Sequence, residues 1–477
     1  MKNQITLYHS RVGYRFQHLD GRNLEAANRI CLDGKAAPGP LEITEDTAFY
    51  VGDRAVPHPG VQSPSSFSLR VSRDGPGTLS FSGPFRAENA VFQALEGKTL
   101  FLGDFSAMGM LVVNRHSGST PVVEISGIEM EMAGARVGHV SGELHLTQGA
   151  VVNAATGLIL GNGTFLVSGA GSCFIAVSGL VHIGANGTGS AILTDGGRLS
   201  APHPERELLL GQSRKGHGIL NIGAPFVEVA TAPGILDMNH IDSGEGEGTI
   251  VFNHTALDYA FTTDGTPEGE PIEITGAVDL IIGSGVTTLY GANRSVGAST
   301  ITGGTLLLGP VREPASALGK GSVAVGAHGK LGGAGLVNAE TVVWGVLSPA
   351  NGPEFGRLDF HEGLNLMESA TAEFDIGGIG AYASRLHDSI KVEGALHFAG
   401  ELRLNFVGGF RPQPGDFFFL FDGDFTAASN FCLITFVQPG YAGVFNELAG
   451  ILTITAVPVV NHVESEPRSR PAEILAA

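Results

Sequence analysis

The chain has 477 residues, 70 of them Gly, with only 16% charged residues and a formal net charge of −19. So much glycine excludes long helices, since each interior Gly costs about 1 kcal/mol relative to Ala, and the lack of a strict three-residue Gly period excludes collagen. The acidic balance opposes binding to a phosphate backbone, so no nucleic-acid partner is expected, while 43% hydrophobic residues and 27 Phe allow a sizeable buried core.

From the N-terminus, "MKNQITLYHSRVGYRFQHLD" holds no apolar run of signal-peptide length. No stretch anywhere is long and apolar enough for a transmembrane helix. Arg11, Arg15, Arg22, Arg29 and Lys35 make this end locally basic, without the aromatic interleaving of a nucleic-acid surface. "RNLEAANRICLDG" (22–34) reads as a short helix or as the irregular cap that a solenoid needs at its first coil. "TAFYVGD" (47–53), "SFSLRVS" (66–72), "GTLSFSG" (77–83) and "KTLFLGD" (98–104) read as short strands. Residues 1–120 are therefore expected to form an N-terminal cap and early irregular β rungs.

The strongest internal order follows, in the segment expected to carry β-solenoid repeats, 121–310. "LILGNGTFLVSGAG" (158–171), "VHIGANGTGSAILTDGG" (181–197) and "LLLGQSRKGHGILNIGA" (208–224) share one plan: an apolar triplet, a Gly, a polar turn, a second apolar run and a closing Gly. Repeats of this length are the mark of a solenoid. The apolar runs are short and rich in Val, Ile, Leu and Thr, as strands are. "GILNIG" (218–223) alternates, with Ile219 and Asn221 on one face and Leu220 and Ile222 on the other. Gly161, Gly184 and Gly211 supply sharp corners. The fold expected is all-β, a right-handed parallel β-helix, its hand taken from the twist preference of crossover connections. A β-propeller would need longer repeats with aromatic signatures.

Residues 311–456 carry longer alternating strands, among them "SIKVEGALHFAGELRLNFVGG" and "GDFFFLFDGDF", and are expected to form a C-terminal β region with an antiparallel or solenoid-capping sheet. In the Phe run, Phe417, Phe419 and Phe421 are expected on one face and Phe418 and Leu420 on the other, as a core strand or an assembly contact. The proline-broken tail 457–477 reads as disordered.

One stretch carries a family resemblance. "TTLYGANRSVGASTITGGTLLLG" (287–309) resembles the autotransporter-associated β-strand repeat through Thr288, Leu289, Gly291, Asn293, Gly297, Thr300, Ile301, Gly304, Thr305, Leu306, Leu308 and Gly309. It departs at Arg294-Ser295-Val296, read as a surface turn. "GTIVFNHTALDYAFTTD" (248–264) is similar to the coil that precedes this repeat. Downstream, Ser348, Pro349, Asn351, Asp388, Ile390, Val392 and Gly394 follow the pattern that ends such passengers, with Ala350 in place of the usual Gly. The resemblance covers roughly residues 140–456. It implies a passenger-type β-helix of a bacterial surface or secreted protein. The membrane barrel and the sorting tail of such proteins are not written in this sequence.

Little reactive chemistry is legible. Polysaccharide lyases and glycosidases also use this fold, and need convergent carboxylates. The candidates are Asp242, Glu245 and Glu247 in "DSGEGEG", and Asp422 and Asp424 in "DGD", all read as turns. His182 and His217 are scattered, and no metal-binding spacing occurs. Asn162, Asn186, Asn253 and Asn293 satisfy the glycosylation sequon but read as turn and ladder residues. Cys31, Cys173 and Cys432 are far apart and read as neither disulfides nor zinc ligands. Trp344 and seven Tyr offer little aromatic platform for a glycan. No catalytic, cofactor or metal-binding residue is assigned, and no cofactor is expected. The expected function is a non-enzymatic, extracellular or cell-surface stalk, adhesin or matrix component, with self-association or surface partners. The alternative is a carbohydrate-active enzyme on the same scaffold.

Overall fold

The computed structural model describes residues 29–33, 41–43, 47–48 and 69–74, and 77–458 apart from 84, 104, 117, 203–206, 310–316, 350–354, 380–385 and 424–428. Among the described residues there is no helix, and nearly every strand pairs in parallel with the strand one coil before and one coil after. The fold is a parallel β-helix. Two sheets hold 15 strands each, a third holds eight and a fourth five; a three-stranded antiparallel sheet closes the C-terminal end.

The register shows how the coils stack. In the second sheet Leu144 pairs with Phe165, Phe165 with Ala191, Ala191 with Leu220, Leu220 with Ile250 and Ile250 with Leu280. All six are buried, so one inward file runs up the solenoid and its residues pack on their counterparts in the next coil. The first sheet carries two such files over much of its length, because the long strand Glu129–Val137 pairs with both Val151–Ala154 and Leu158–Leu160. At Glu273–Ile274 the first sheet ends, and single bridges Ile274–Asn293 and Ala292–Ala317 carry its line into the fourth sheet. Aromatic clusters fill the core near both ends: Phe81, Phe85, Phe92 and Phe101 at one, Phe398, Phe421, Phe431 and Phe445 at the other.

The shared plan at 158–224 is one coil corner written three times. Leu160, Ile183 and Leu210 are stacked partners, so Gly161, Gly184 and Gly211 follow them at the same corner. Gly184 and Gly211 have positive φ of 70° and 85°. The next coil passes so close that a Cβ at Gly184 would overlap the carbonyl of His217. In the strand His217–Gly223, Leu220 and Ile222 point inward, while Asn221 donates across to Ser190 Oγ and to the Ala191 carbonyl, both at 3.0 Å.

Three expectations are corrected. Arg29–Asp33 is a strand parallel to Leu69–Asp74, so no helix spans the second half of 22–34; residues 22–28 lie outside the described residues. Parallel pairing persists past 311 as far as Leu433–Phe436, and among the described residues the antiparallel strands are Phe417–Phe419, Ala442–Asn446 and Ile451–Ala456, with single antiparallel bridges such as Ile376–His387 besides. Phe417, Phe419 and Phe421 do not share a face. The run leaves the antiparallel strand Phe417–Phe419 and joins the parallel strand Phe421–Asp422, and this change of partner shifts the alternation. Phe418, Leu420 and Phe421 are buried together and Phe417 is exposed. The tail expected to be disordered lies outside the described residues from 459 onward.

Gly184→Ala is expected to lower stability by at least about 2 kcal/mol, from the left-handed backbone plus the overlap with His217. Gly409 also has positive φ, with nothing near an added Cβ, so Gly409→Ala should cost only about 1 kcal/mol. Urea unfolding of both variants compares the two; equal losses would mean that the corner is not in contact with the next coil.

Candidate functional site

Stacking gathers onto the outer faces residues that are remote in sequence. One such gathering lies on the third sheet. Thr371–Ile376 pairs with Glu401–Phe406, setting Glu373 against Arg403 and Asp375 against Asn405. Lys330 stands on Lys330–Gly333 two coils earlier, with Val346–Ser348 between. Glu373 receives Lys330 Nζ at 3.1 Å and Arg403 Nη1 at 3.2 Å, and Arg403 Nη2 reaches Glu401 at 3.1 Å. Beside this row runs a second one, of a carboxylate and two amides. Asn405 donates to Asp375 Oδ1 at 2.8 Å, and Gln438 donates to Asn405 Oδ1 at 2.9 Å. Lys330, Ser348, Glu373, Asp375, Arg403 and Asn405 border a cleft of about 340 Å³.

Asp388 lies beneath the cleft and is wholly buried. It accepts the amide hydrogens of Gly356 and Asp375, each at 2.7 Å, and so ties the starts and ends of three coil segments together. Burial pushes its carboxyl up to about 7, against the lowering pull of those two amides, with Asp375 adding to the rise and Lys330 opposing it.

A second feature breaks the repetition. Between Gly223 and the strand Ile235–Asp237 the chain leaves the coil in a turn over 225–229. Asn253 Nδ2 donates to the carbonyls of Pro225 and Glu228, both at 2.9 Å, and pins the turn from below. Val227 and Val229 are 91% and 88% exposed. Nothing in the sequence pattern marked this turn, because its valines resemble those of a strand.

The residues weighed from sequence fall mostly into structural roles. Asp242 accepts from Gly244 N at 2.6 Å and from Thr275 Oγ1, Glu245 forms an exposed ion pair with Arg214, and Glu247 opens a strand. Asp422 is exposed; Asp424 lies outside the described residues. His217 bonds Thr249 Oγ1 at 2.9 Å, and His182 is buried in a strand where burial lowers its pKa. Asn162 bridges coils, accepting from Thr188 N at 3.0 Å; Asn186 is exposed; Asn253 and Asn293 are buried. Cys173 and Cys432 are free thiols. The turn at Arg294-Ser295-Val296 is only partly a surface feature. Ser295 is buried, accepting from Val278 N at 2.9 Å and donating to its carbonyl at 2.6 Å. Sequence reading also missed the row Glu207, His240, Thr275. His240 Nδ1 lies 3.4 Å from Glu207 and its Nε2 lies 2.9 Å from Thr275 Oγ1, across three coils.

No family model matches the chain. A stretch of 118 residues is 33% identical to the "Uncharacterized lipoprotein YdeK" of Escherichia coli (strain K12), covering 24% of this chain and 9% of that protein. Over 185 residues the chain is 28% identical to the "Adhesin BmaC autotransporter" of Brucella suis biovar 1 (strain 1330), covering 38% of this chain and 5% of that one. The chain thus spans less than a tenth of the length of either relative.

Two buried groups set opposite pH dependences. Burial lowers His254 to about 4, where its Nε2 meets Thr287 Oγ1 at 2.8 Å. A lowered histidine keeps its contribution above its ordinary value and loses it as pH falls from about 6.5 toward 4, by about 3 kcal/mol in all. The raised Asp388 acts the other way: its protonated form fits the fold, so stability declines as pH rises from about 4 toward 7. Unfolding measured across pH should show the acid-side loss shrink in His254→Gln. The decline toward neutrality should vanish in Asp388→Asn. Unchanged slopes would contradict these environments.

Proposed function

We propose that this chain is a non-enzymatic, passenger-type β-helix of the bacterial surface, working as an adhesin-like contact module. The partial similarity to an autotransporter adhesin and to a lipoprotein supports a bacterial surface location, at low identity and coverage. The observation that carries the reading is the turn over 225–229. Burying Val227 and Val229 would gain hydrophobic free energy, yet the buried Asn253 holds the turn where both valines stay in water. Exposed apolar side chains on a rigid support mark contact sites. The finer roles, stalk or matrix component, share this arrangement: inward positions hold the coils together and outward departures from the repeat meet partners.

Protease shaving of intact native cells, with immunodetection of this chain and of a cytoplasmic control, tests the location. Cleavage of this chain with the control intact is expected; protection until lysis would overturn the reading. Val227→Ser with Val229→Ser should leave stability within about 0.5 kcal/mol while lowering attachment of cells that display the chain. Unchanged attachment would remove the turn from the contact.

A further inference from the structure

We infer that the cleft on the third sheet binds a neutral polyhydroxyl ligand, a segment of an uncharged glycan. The inference deepens the contact reading by giving the module a ligand class, and it rests on that reading only for its biological setting. Four observations lead there.

The first is charge. Lys330 and Arg403 oppose Glu373 and Asp375 around the opening, so the lining carries two positive and two negative groups. A polyanion would meet the two carboxylates and the chain's net −19. A polycation would meet the two bases. An uncharged ligand pays neither penalty.

The second is unused hydrogen-bonding capacity. A lysine has three donors and an arginine five; Lys330 commits one to Glu373, and Arg403 uses Nη1, Nη2 and Nε on Glu373 and Glu401. Asp375 Oδ1 is engaged by Asn405, which leaves Oδ2 to accept. Hydroxyl groups both donate and accept, so one polyol can use spare donors and spare acceptors in the same cleft.

The third is rigidity. Glu373 holds both bases, Asn405 is fixed by Asp375 and Gln438, and Asp388 fixes the Asp375 backbone from below. Groups already ordered lose little further entropy on binding.

The fourth sets the strength. Phe374 is the one aromatic residue among the described lining residues, and its side chain is buried, so it offers the cleft no ring face. Binding would run through hydrogen bonds alone and be weak per site.

The test is affinity electrophoresis of the purified full chain through gels holding dextran, mannan or a neutral galactan, with heparin as the charged comparison. Retardation by at least one neutral polymer is expected, and it should persist at about 0.5 M salt, where ionic attraction is screened within a few ångströms. Lys330→Met and Asn405→Leu should each weaken it about tenfold, the scale of one good hydrogen bond. In the unaltered chain, the retarding polymer should also protect Lys330 from acetylation, a readout that does not depend on a variant folding. Retardation by none of the three neutral polymers, by heparin alone, or only at low salt would overturn the inference. So would retardation that leaves Lys330 unprotected. All these outcomes concern the isolated chain, so they stand apart from where the protein sits on the cell.

Discussion

The whole molecule depends on the backbone ladder between successive coils. Each coil offers its N–H and C=O groups to the coil before and after, and an unpaired buried group would cost more than most single contacts contribute. The ladder is kept only if each coil returns in register, and that demand falls on the corners. Gly184 and Gly211 meet it by adopting a backbone that other residues resist, and by letting the next coil pass at backbone contact. Ser295 meets it differently, with a hydroxyl that completes the hydrogen bonding of Val278. Once register is fixed, the apolar files stack without further instruction: Leu144, Phe165, Ala191, Leu220, Ile250 and Leu280 need only be apolar and of compatible size.

The same stacking governs the outer faces. Side chains at one register position form rows across coils, so charged residues find partners coils away, as Glu373 does with Lys330 and Arg403. Exposed pairs of this kind add little stability individually; their effect is to hold side chains in one arrangement. A surface built from rows is uniform by default, and recognition needs a break in it. Two breaks stand out. One is the pinned apolar turn at 225–229. The other is the cleft over Asp388, where a buried carboxylate joins Gly356 to Asp375.

Much of the fold was legible in the sequence because the repeat is local. The text at 158–171, 181–197 and 208–224 repeats within a few dozen residues, and the stretch 287–309 spells the strands Val286–Leu289, Ser299–Ile301 and Thr305–Leu308 almost letter by letter. The candidate site was not legible. Lys330 and Glu373 are 43 residues apart in sequence, and their contact depends on the accumulated length of every turn between them. One residue more in a corner would have moved the row. The Phe run misled for a related reason: alternation predicts faces only while a strand keeps its partner, and here the partner changes at Leu420. The motif residue Asp388 was visible as a letter, but its burial and its two amide partners were not.

Coil-to-coil register is the central claim, and the chain carries a probe for it. Cys173 faces outward on its strand, directly paired with Val151 in the coil before and Arg198 in the coil after. Neighbouring positions in parallel strands fall within the span of a disulfide. With Cys31 and Cys432 replaced by Ser, Val151→Cys should cross-link to Cys173 under mild oxidation, while Val152→Cys, whose side chain points into the core, should keep both thiols free. Cross-linking at 152 but not 151, or at neither, would contradict the register on which the fold, the rows and the cleft all rest.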